Sequence, residues 1–161
     1  MNIITSADGS TALVEQYGDG NLAVAEQTDS QIEHNLREQS QTGTNISVEV
    51  TKTVNALQSS ILQIQTDDGN SVFASQEESS STIVPIGQAS DNHTAMSTQI
   101  LTENTFGEIY QEGQRNKGEL FQSDSLSDTG YLFQSGQSNT SLFEPPAVNF
   151  ILVHYPNWKL K

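Results

Sequence analysis

The feature of this sequence that most constrains its fold is a skeleton of four residues that recurs along the chain. The segment from Ser10 to Gln27 carries it as Ser, five residues, Gln16, four residues, Asn21, five residues, Gln27. We place the first glutamine of each copy at residues 16, 39, 65, 88, 111 and 134, so that the intervals are 23, 26, 23, 23 and 23 residues. Self-similarity at a period of roughly 20–50 residues is typical of repeat architectures. The chain is therefore expected to be a stack of similar units.

The skeleton divides the chain into three parts. Residues 1–9 form an N-terminal leader segment, residues 10–145 hold six repeats, and residues 146–161 form an apolar C-terminal tail. The repeats start near residues 10, 33, 59, 82, 105 and 128. Repeat two is degenerate, and its four key residues are assigned as Glu33, Gln39, Thr44 and Val50. We place the three extra residues of the long interval within 52–58, and we expect repeat two to be the least regular.

Each repeat is predicted to form two strands joined by a turn. In repeat one, Val14 and Gln16 share one parity, as do Ala25 and Gln27, and residues two apart line one face of a strand. The link 18–21, Gly-Asp-Gly-Asn, has the residues that favour a tight turn. The sequence therefore predicts an all-β, parallel-stacked solenoid of about six 23-residue repeats, with equivalent amides in hydrogen-bonded ladders.

Composition excludes several function classes. Hydrophobic residues make up 34% of the chain, against roughly 45–50% in ordinary globular domains, which fits a thin interior. Six basic and twenty acidic residues give a net charge of −14, which excludes a nucleic-acid surface. No run is long and apolar enough for a membrane helix, and the N-terminus does not resemble a signal peptide. The acidic residues are expected to face outward, where they slow premature aggregation.

The Ser-x5-Gln-x4-Asn-x5-Gln skeleton resembles the curlin repeat, the unit of the curli subunits of bacterial biofilms. The resemblance implies an amyloid-forming solenoid that is exported through an outer-membrane pore and polymerises at the cell surface. It implies fibres that support biofilm cohesion and adhesion, built from copies of the chain itself, with a nucleator subunit and secretion or chaperone components as partners. The implied ladder residues are Gln16, Asn21, Gln27, Gln39, Gln65, Asn70, Gln76, Gln88, Gln99, Gln111, Asn116, Gln122, Gln134 and Asn139.

Other functions fit the sequence less well. We expect no catalytic site, metal or cofactor: His34, His93 and His154 are far apart, and the acidic turns lack a calcium-binding repeat. An ice-binding solenoid needs ladders of Thr-x-Thr, whereas Thr51-Lys52-Thr53 is solitary. A hexapeptide acyltransferase has a different period. A minor, nucleating subunit of the same fibre system remains an alternative to the major subunit.

Open sheet edges are expected at the two ends of the solenoid, and each is a template for another subunit. Head-to-tail contact that does not close into a ring gives a filament. The tail segment 148–155 reads as an apolar strand. It would close repeat six as a half-turn, join the next subunit, or anchor a nucleating partner.

Overall fold

The computed structural model describes residues 2–5, 11–28, 35–53, 57–124, 126–144 and 150–154. These residues form fourteen strands, and no helix occurs among them. The strands are β1 (Asn2–Thr5), β2 (Thr11–Tyr17), β3 (Leu22–Thr28), β4 (Leu36–Thr42), β5 (Ser47–Thr53), β6 (Ser60–Thr66), β7 (Ser71–Glu77), β8 (Ile83–Ala89), β9 (Thr94–Ile100), β10 (Phe106–Gln114), β11 (Lys117–Ser123), β12 (Thr129–Gln137), β13 (Thr140–Phe143) and β14 (Phe150–His154).

The strands form two parallel sheets of seven strands each. The odd-numbered strands make one sheet in the order β1-β3-β5-β7-β9-β11-β13, and the even-numbered strands make the other in the order β14-β12-β10-β8-β6-β4-β2. We call them the odd sheet and the even sheet. The chain alternates between the sheets and advances one strand position per repeat, so the predicted β-solenoid is confirmed.

Strand burial follows the alternation of the sequence. In β7 the inward residues Val72, Ala74 and Gln76 are buried, and the residues between them are partly exposed. The apolar core therefore consists mainly of small and aliphatic side chains, with Phe143 as its aromatic member. Its members are Ala23, Ala25, Ile46, Val48, Val50, Ile61, Val72, Ala74, Val84, Ile86, Ala95, Ile109, Leu120, Leu132 and Phe143.

Inward glycines fit large side chains on the opposite sheet. A Cβ atom on Gly107 would lie 2.6 Å from Cδ2 of Leu120, and one on Gly130 would lie 2.8 Å from Cε1 of Phe143. The interior is too thin for a large residue on both sides at one level. This pairing of small with large keeps the two sheets close together along the C-terminal repeats.

The register of repeat two differs from the sequence assignment. Gln16 pairs with Gln41, and Gln41 with Gln65, which are intervals of 25 and 24 residues. The assignment of the four key positions to Glu33, Gln39, Thr44 and Val50 is therefore wrong. The residues that occupy those positions are Asn35, Gln41, Ile46 and Lys52.

The three extra residues also lie elsewhere than expected. Seven residues separate β3 from β4, six separate β5 from β6, and five separate β7 from β8. Two extra residues thus belong to the connection 29–35 and one to 54–59. Placing all three in 52–58 was wrong because Gln39, two residues before Gln41, has the same strand parity and was mistaken for it.

The solenoid extends beyond the predicted limits of 10 and 145. Strand β1, within the segment assigned as a leader, pairs in parallel with β3. Strand β14, within the tail, pairs in parallel with β12, the first strand of repeat six. Pro145, expected in the last slot of repeat six, lies outside the described residues.

Candidate functional site

The most continuous polar feature of the interior is a column of glutamines on the even sheet, which we call the even ladder. It consists of Gln16, Gln41, Gln65, Gln88, Gln111 and Gln134. Within it, Nε2 of Gln65 donates to Oε1 of Gln88 at 2.7 Å, and Nε2 of Gln88 donates to Oε1 of Gln111 at 2.8 Å. The same bond joins every neighbouring pair, including Gln16 to Gln41. The ladder thus crosses all six repeats without a break.

Four glutamines of the even ladder use the second N–H of their side-chain amide to donate a hydrogen bond across the interior to a backbone carbonyl of the odd sheet. Nε2 of Gln88 donates to the carbonyl of Ser71 at 3.3 Å, and Nε2 of Gln134 donates to that of Lys117 at 2.8 Å. Gln41 and Gln111 make equivalent bonds to the odd sheet. These four glutamines therefore link neighbouring turns and both sheets, and their buried Nε2 groups avoid the cost of an unpaired polar group, about 1–3 kcal/mol each.

A shorter odd ladder runs through Gln76, Gln99 and Gln122. Nε2 of Gln76 donates to Oε1 of Gln99 at 2.9 Å, and Gln99 donates to Gln122 at 2.8 Å. Towards the N-terminus the next register position holds Lys52 and the one after it holds Gln27. The backbone of Gln27 is thus in line, while its side chain lies outside the described residues. Since lysine has no side-chain amide, the column does not hold glutamine in every repeat.

The asparagines form a third column, in which the amide bonds to the backbone instead of to another amide. Nδ2 of Asn70 donates to the carbonyls of Thr66 at 2.7 Å and Ser90 at 2.8 Å, and its Oδ1 accepts the N–H of His93 at 2.8 Å. Asn21 and Asn116 act in the same way. Asn139, in the last turn of the column, donates from Nδ2 to the carbonyl of Ser135 at 2.9 Å. The asparagines therefore tie each turn to the next, where we had expected amide-to-amide pairing.

His93 substitutes for asparagine in this column. Its ring is fully buried, with Nε2 2.9 Å from the carbonyl of Ala89 and Nδ1 accepting the N–H of Asn116 at 3.2 Å. This pair of contacts fits a neutral imidazole protonated on Nε2. Histidine reproduces two of the three bonds of an asparagine and acts here as a structural residue.

Hydroxyl residues at the ends of the arms add a further set of contacts that the sequence analysis missed. The Thr82 hydroxyl donates to that of Ser59 at 3.0 Å and accepts Nε2 of Gln76 at 2.8 Å. The Thr102 hydroxyl donates to that of Ser79 at 3.1 Å. Residues 79 and 102 lie 23 apart, so the period of the repeat was the signal that could have found them.

Repeat two carries polar residues at positions that are apolar elsewhere. Arg37 lies at the register position of Ala12 and Ile61, fully buried, and none of its three guanidinium nitrogens has a hydrogen-bond partner within the described part of the chain. Burial lowers the pKa of Arg37 to about 9, against a smaller opposing effect of Glu26. Gln39, predicted for the main ladder, instead donates to Oε1 of Gln63 at 3.3 Å in a separate short pair.

Acidic side chains lie mainly on the outside, as the strand parity predicted. Glu15, Glu26, Asp68 and Glu77 are exposed, and Glu108 and Glu119 are half-buried. In the described residues, His, Cys, Asp and Glu form no group of three or more that could hold a metal ion. The same residues include no helix that is long and apolar enough to cross a membrane.

Both ends of the solenoid present sheet edges. Strands β1 and β2 are the edge strands at one end and β13 and β14 at the other, and no further strand covers them among the described residues. Thr11 N–H donates to the carbonyl of Asn35 at 2.9 Å, and the carbonyl of Tyr17 accepts the N–H of Gly43 at 3.0 Å. The odd-numbered residues of β2 therefore pair with β4. Since N–H and C=O of one residue in a parallel strand point to the same side, Ala12, Val14 and Gln16 direct theirs to the open edge.

Comparisons with protein-family models, with curated proteins and with solved structures found no match to this chain. The curlin resemblance thus rests on the repeated motif.

Proposed function

We propose that this chain is a structural subunit of an extracellular, curli-like functional amyloid fibre, in which copies add head to tail by strand stacking. The observation that carries the proposal is the geometry of the ends: each sheet holds seven strands, and each end has one open edge in each sheet. A second copy placed with β1 beside β13 and β2 beside β14 would extend both sheets in parallel. Such unpaired edges are templates for strand addition.

The register of the two ends supports the same joint. Along the odd sheet, Asn2 shares a register column with Ser141, and Ile3 shares one with Leu142. Along the even sheet, Phe150–His154 lies in the columns of residues 12–16. Strand β1 of an added copy therefore meets β13, an edge strand of equal length, and both sheets continue without a shift in register.

The fibre role would be biofilm cohesion and adhesion at a bacterial cell surface, with secretion and chaperone components as partners by analogy with curli. The acidic outer faces support this role, since like charges on neighbouring fibres oppose lateral clumping. The proposal requires no enzymatic activity, cofactor or nucleic acid.

The experiment is seeded growth followed by thioflavin fluorescence and electron microscopy. Preformed seeds of the same chain should abolish the lag phase. Val14→Pro removes an N–H that faces the open edge of β2, where proline is tolerated. This variant should keep its circular dichroism spectrum and elongate wild-type seeds at least about tenfold more slowly, because one hydrogen bond and the close approach of the joint are lost.

Leu13→Pro is the matched variant, because the Leu13 N–H belongs to the set that pairs with β4. It should instead disturb the solenoid itself and change the spectrum of the monomer. If Val14→Pro elongates seeds as fast as wild type, or if the wild-type chain stays monomeric at high concentration, the proposed head-to-tail joint is wrong.

A minor, nucleating subunit is the second candidate, and the buried unpaired Arg37 favours it. Each added copy brings the same buried guanidinium, so a fibre of this chain alone would be less stable per subunit than a fibre of a subunit with a regular core. A nucleator should shorten the lag of a regular curlin-repeat subunit when present in small molar fractions, while forming few long fibres alone. Long fibres of the pure chain would favour the major subunit.

A further inference from the structure

The outer face of the even sheet carries an apolar area in repeats three to five. Leu62 and Ile64 on β6 and Pro85 on β8 alternate with the inward residues, so their side chains share this face. Ile64 is 47% exposed, and Tyr110 on β10, two register positions along, is 37% exposed. Exposed apolar areas bordered by polar residues mark interaction sites on soluble proteins.

A groove of about 300 Å³ lies in this area. Gly87 leaves a gap in the column between Ile64 and Tyr110, and a Cβ atom on Gly87 would lie 3.0 Å from Cδ2 of Tyr110. Leu62 and Pro85 extend the lining along the neighbouring column. The ring of Tyr110 and the side chain of Ile64 thus form the two walls of the groove, and the backbone of Gly87 forms its floor. The volume suits a flat body of one or two fused rings.

Glu108 is the charged residue in the lining of this groove. It follows Leu62 and Pro85 in the same outward column, where its carboxylate lies next to apolar side chains and the Tyr110 ring. Desolvation raises the pKa of Glu108, and no ion pair or hydrogen bond to its carboxylate occurs within the described part of the chain. A cation in the groove would form an ion pair with this carboxylate and a cation–π interaction with the ring of Tyr110.

We propose that the groove binds an amphipathic organic cation with a flat apolar body and a single positive charge. An anion would meet Glu108 and the field of a chain with net charge −14. A second copy of the chain would bring the same negative charge to this face. The inference does not rest on the fibre proposal, because all lining residues belong to repeats three to five of one chain.

The test compares two probes with one body and opposite charges: 2-naphthylmethylammonium and 2-naphthalenesulfonate, titrated into the full chain by naphthalene fluorescence. The cation should bind at least about tenfold more tightly, which corresponds to about 1.4 kcal/mol. Glu108→Gln should reduce this preference to less than about threefold, because it removes the charge and keeps the shape.

Two further variants separate the charge from the groove. Glu119→Gln removes a half-buried carboxylate from the outer face of the odd sheet and should leave the preference unchanged. Ile64→Ser removes one apolar wall at an exposed position and should weaken both probes by a similar factor. Circular dichroism checks that each variant keeps its fold.

Equal binding of the two probes would overturn the proposal, and so would a preference that Glu108→Gln leaves intact. If Tyr110→Ser reduces self-association of the chain while neither probe binds, the face contacts a second copy and the proposed ligand is wrong.

Discussion

Repeats two and five have the same two-strand form but different interiors. In repeat five, Thr105, Gln111, Asn116 and Gln122 fill the four key positions, and Ile109 and Leu120 fill the space between them. In repeat two, the asparagine and second glutamine positions hold Ile46 and Lys52, and Arg37 and Gln39 enter the core. Of eight buried polar atoms without a partner in the described part of the chain, four belong to repeat two and none to repeat five.

The difference between repeats two and five indicates which of the four key positions is most important for stacking the repeats. Repeat two has lost three of the four key residue types and keeps Gln41, which bonds to Gln16, Gln65 and the carbonyl of Leu22. The even ladder therefore passes through the irregular repeat unbroken. Parallel stacking tolerates a different residue in the asparagine column more readily than a gap in this ladder.

Replacing Arg37 should give the largest change in stability. Arg37→Met removes a fully buried guanidinium without partners and keeps a long side chain in its place. Burial lowers the pKa of Arg37 to about 9, which shows that the folded chain disfavours the charged guanidinium. Its replacement by an apolar side chain should therefore raise the free energy of unfolding by an amount at the upper end of about 1–4 kcal/mol. Urea unfolding at low chain concentration measures it. Lys117→Met, an exposed position in β11, should change stability little. A less stable Arg37→Met variant would mean that the guanidinium has a partner.

Breaking the even ladder should give the next largest effect. Gln88→Leu leaves Nε2 of Gln65 and Oε1 of Gln111 unpaired and removes the bond to Ser71. The expected cost is about 3 kcal/mol in urea unfolding. The double variant Gln39→Leu with Gln63→Leu replaces both partners of the short pair and should be nearly neutral. Equal costs at the two places would contradict the special role of the even ladder.

The third effect concerns pH and again distinguishes repeat two. Below about pH 9 both the folded and the unfolded chain hold the Arg37 proton, whereas from about pH 9 upward the folded chain releases it while the unfolded chain still holds it. Stability should therefore rise with pH in this range. The advantage of Arg37→Met over wild type should shrink by about 1 kcal/mol between pH 7 and pH 10. A constant difference between the two unfolding curves would show that Arg37 does not titrate in this way.

The smallest effect is expected in the asparagine column. His93→Asn restores the residue of repeats three and five and can donate a second bond to a backbone carbonyl, for a gain of about 0.5–1 kcal/mol in stability. His93→Leu loses the bonds to Ala89 and Asn116 and should cost about 2 kcal/mol. Thermal unfolding of the three proteins should rank them Asn, His, Leu, and any other order would contradict the structural role of this ring.

The sequence predicted the fold because its period and parity are both physical consequences of stacking. In β7 the inward residues are two apart: Val72, Ala74 and Gln76. Only a β-strand places residues with this spacing on one buried face. The strand β14 was also predicted within the tail, and it pairs with β12. Strand β1 was missed, since four residues of a segment outside the repeat carry too little pattern to show a strand.

The errors in repeat two have a definite cause. Strand parity has a period of two, so a shift of two residues preserves every inward position, and Gln39 satisfied the pattern as well as Gln41. The apolar residues of the second strand of repeat two, β5, indicate the correct register. Aligning Val48 with Ala23 and Val72 gives intervals of 25 and 24 residues. The inward position of Arg37 follows from strand parity, and the structure confirms its burial. Its lack of a hydrogen-bond partner within the described residues follows from neither pattern, because it depends on which side chains face it across the interior.

The axial repeat of the assembled fibre tests the central claim most directly. If copies add end to end with both seven-stranded sheets continuous, the subunit repeat is seven strand spacings, about 34 Å. Helical reconstruction from electron cryo-microscopy measures this distance. A repeat of about 34 Å would support the proposed joint, whereas about 29 Å, the value for six layers, or a fibre without the parallel strand spacing would contradict it.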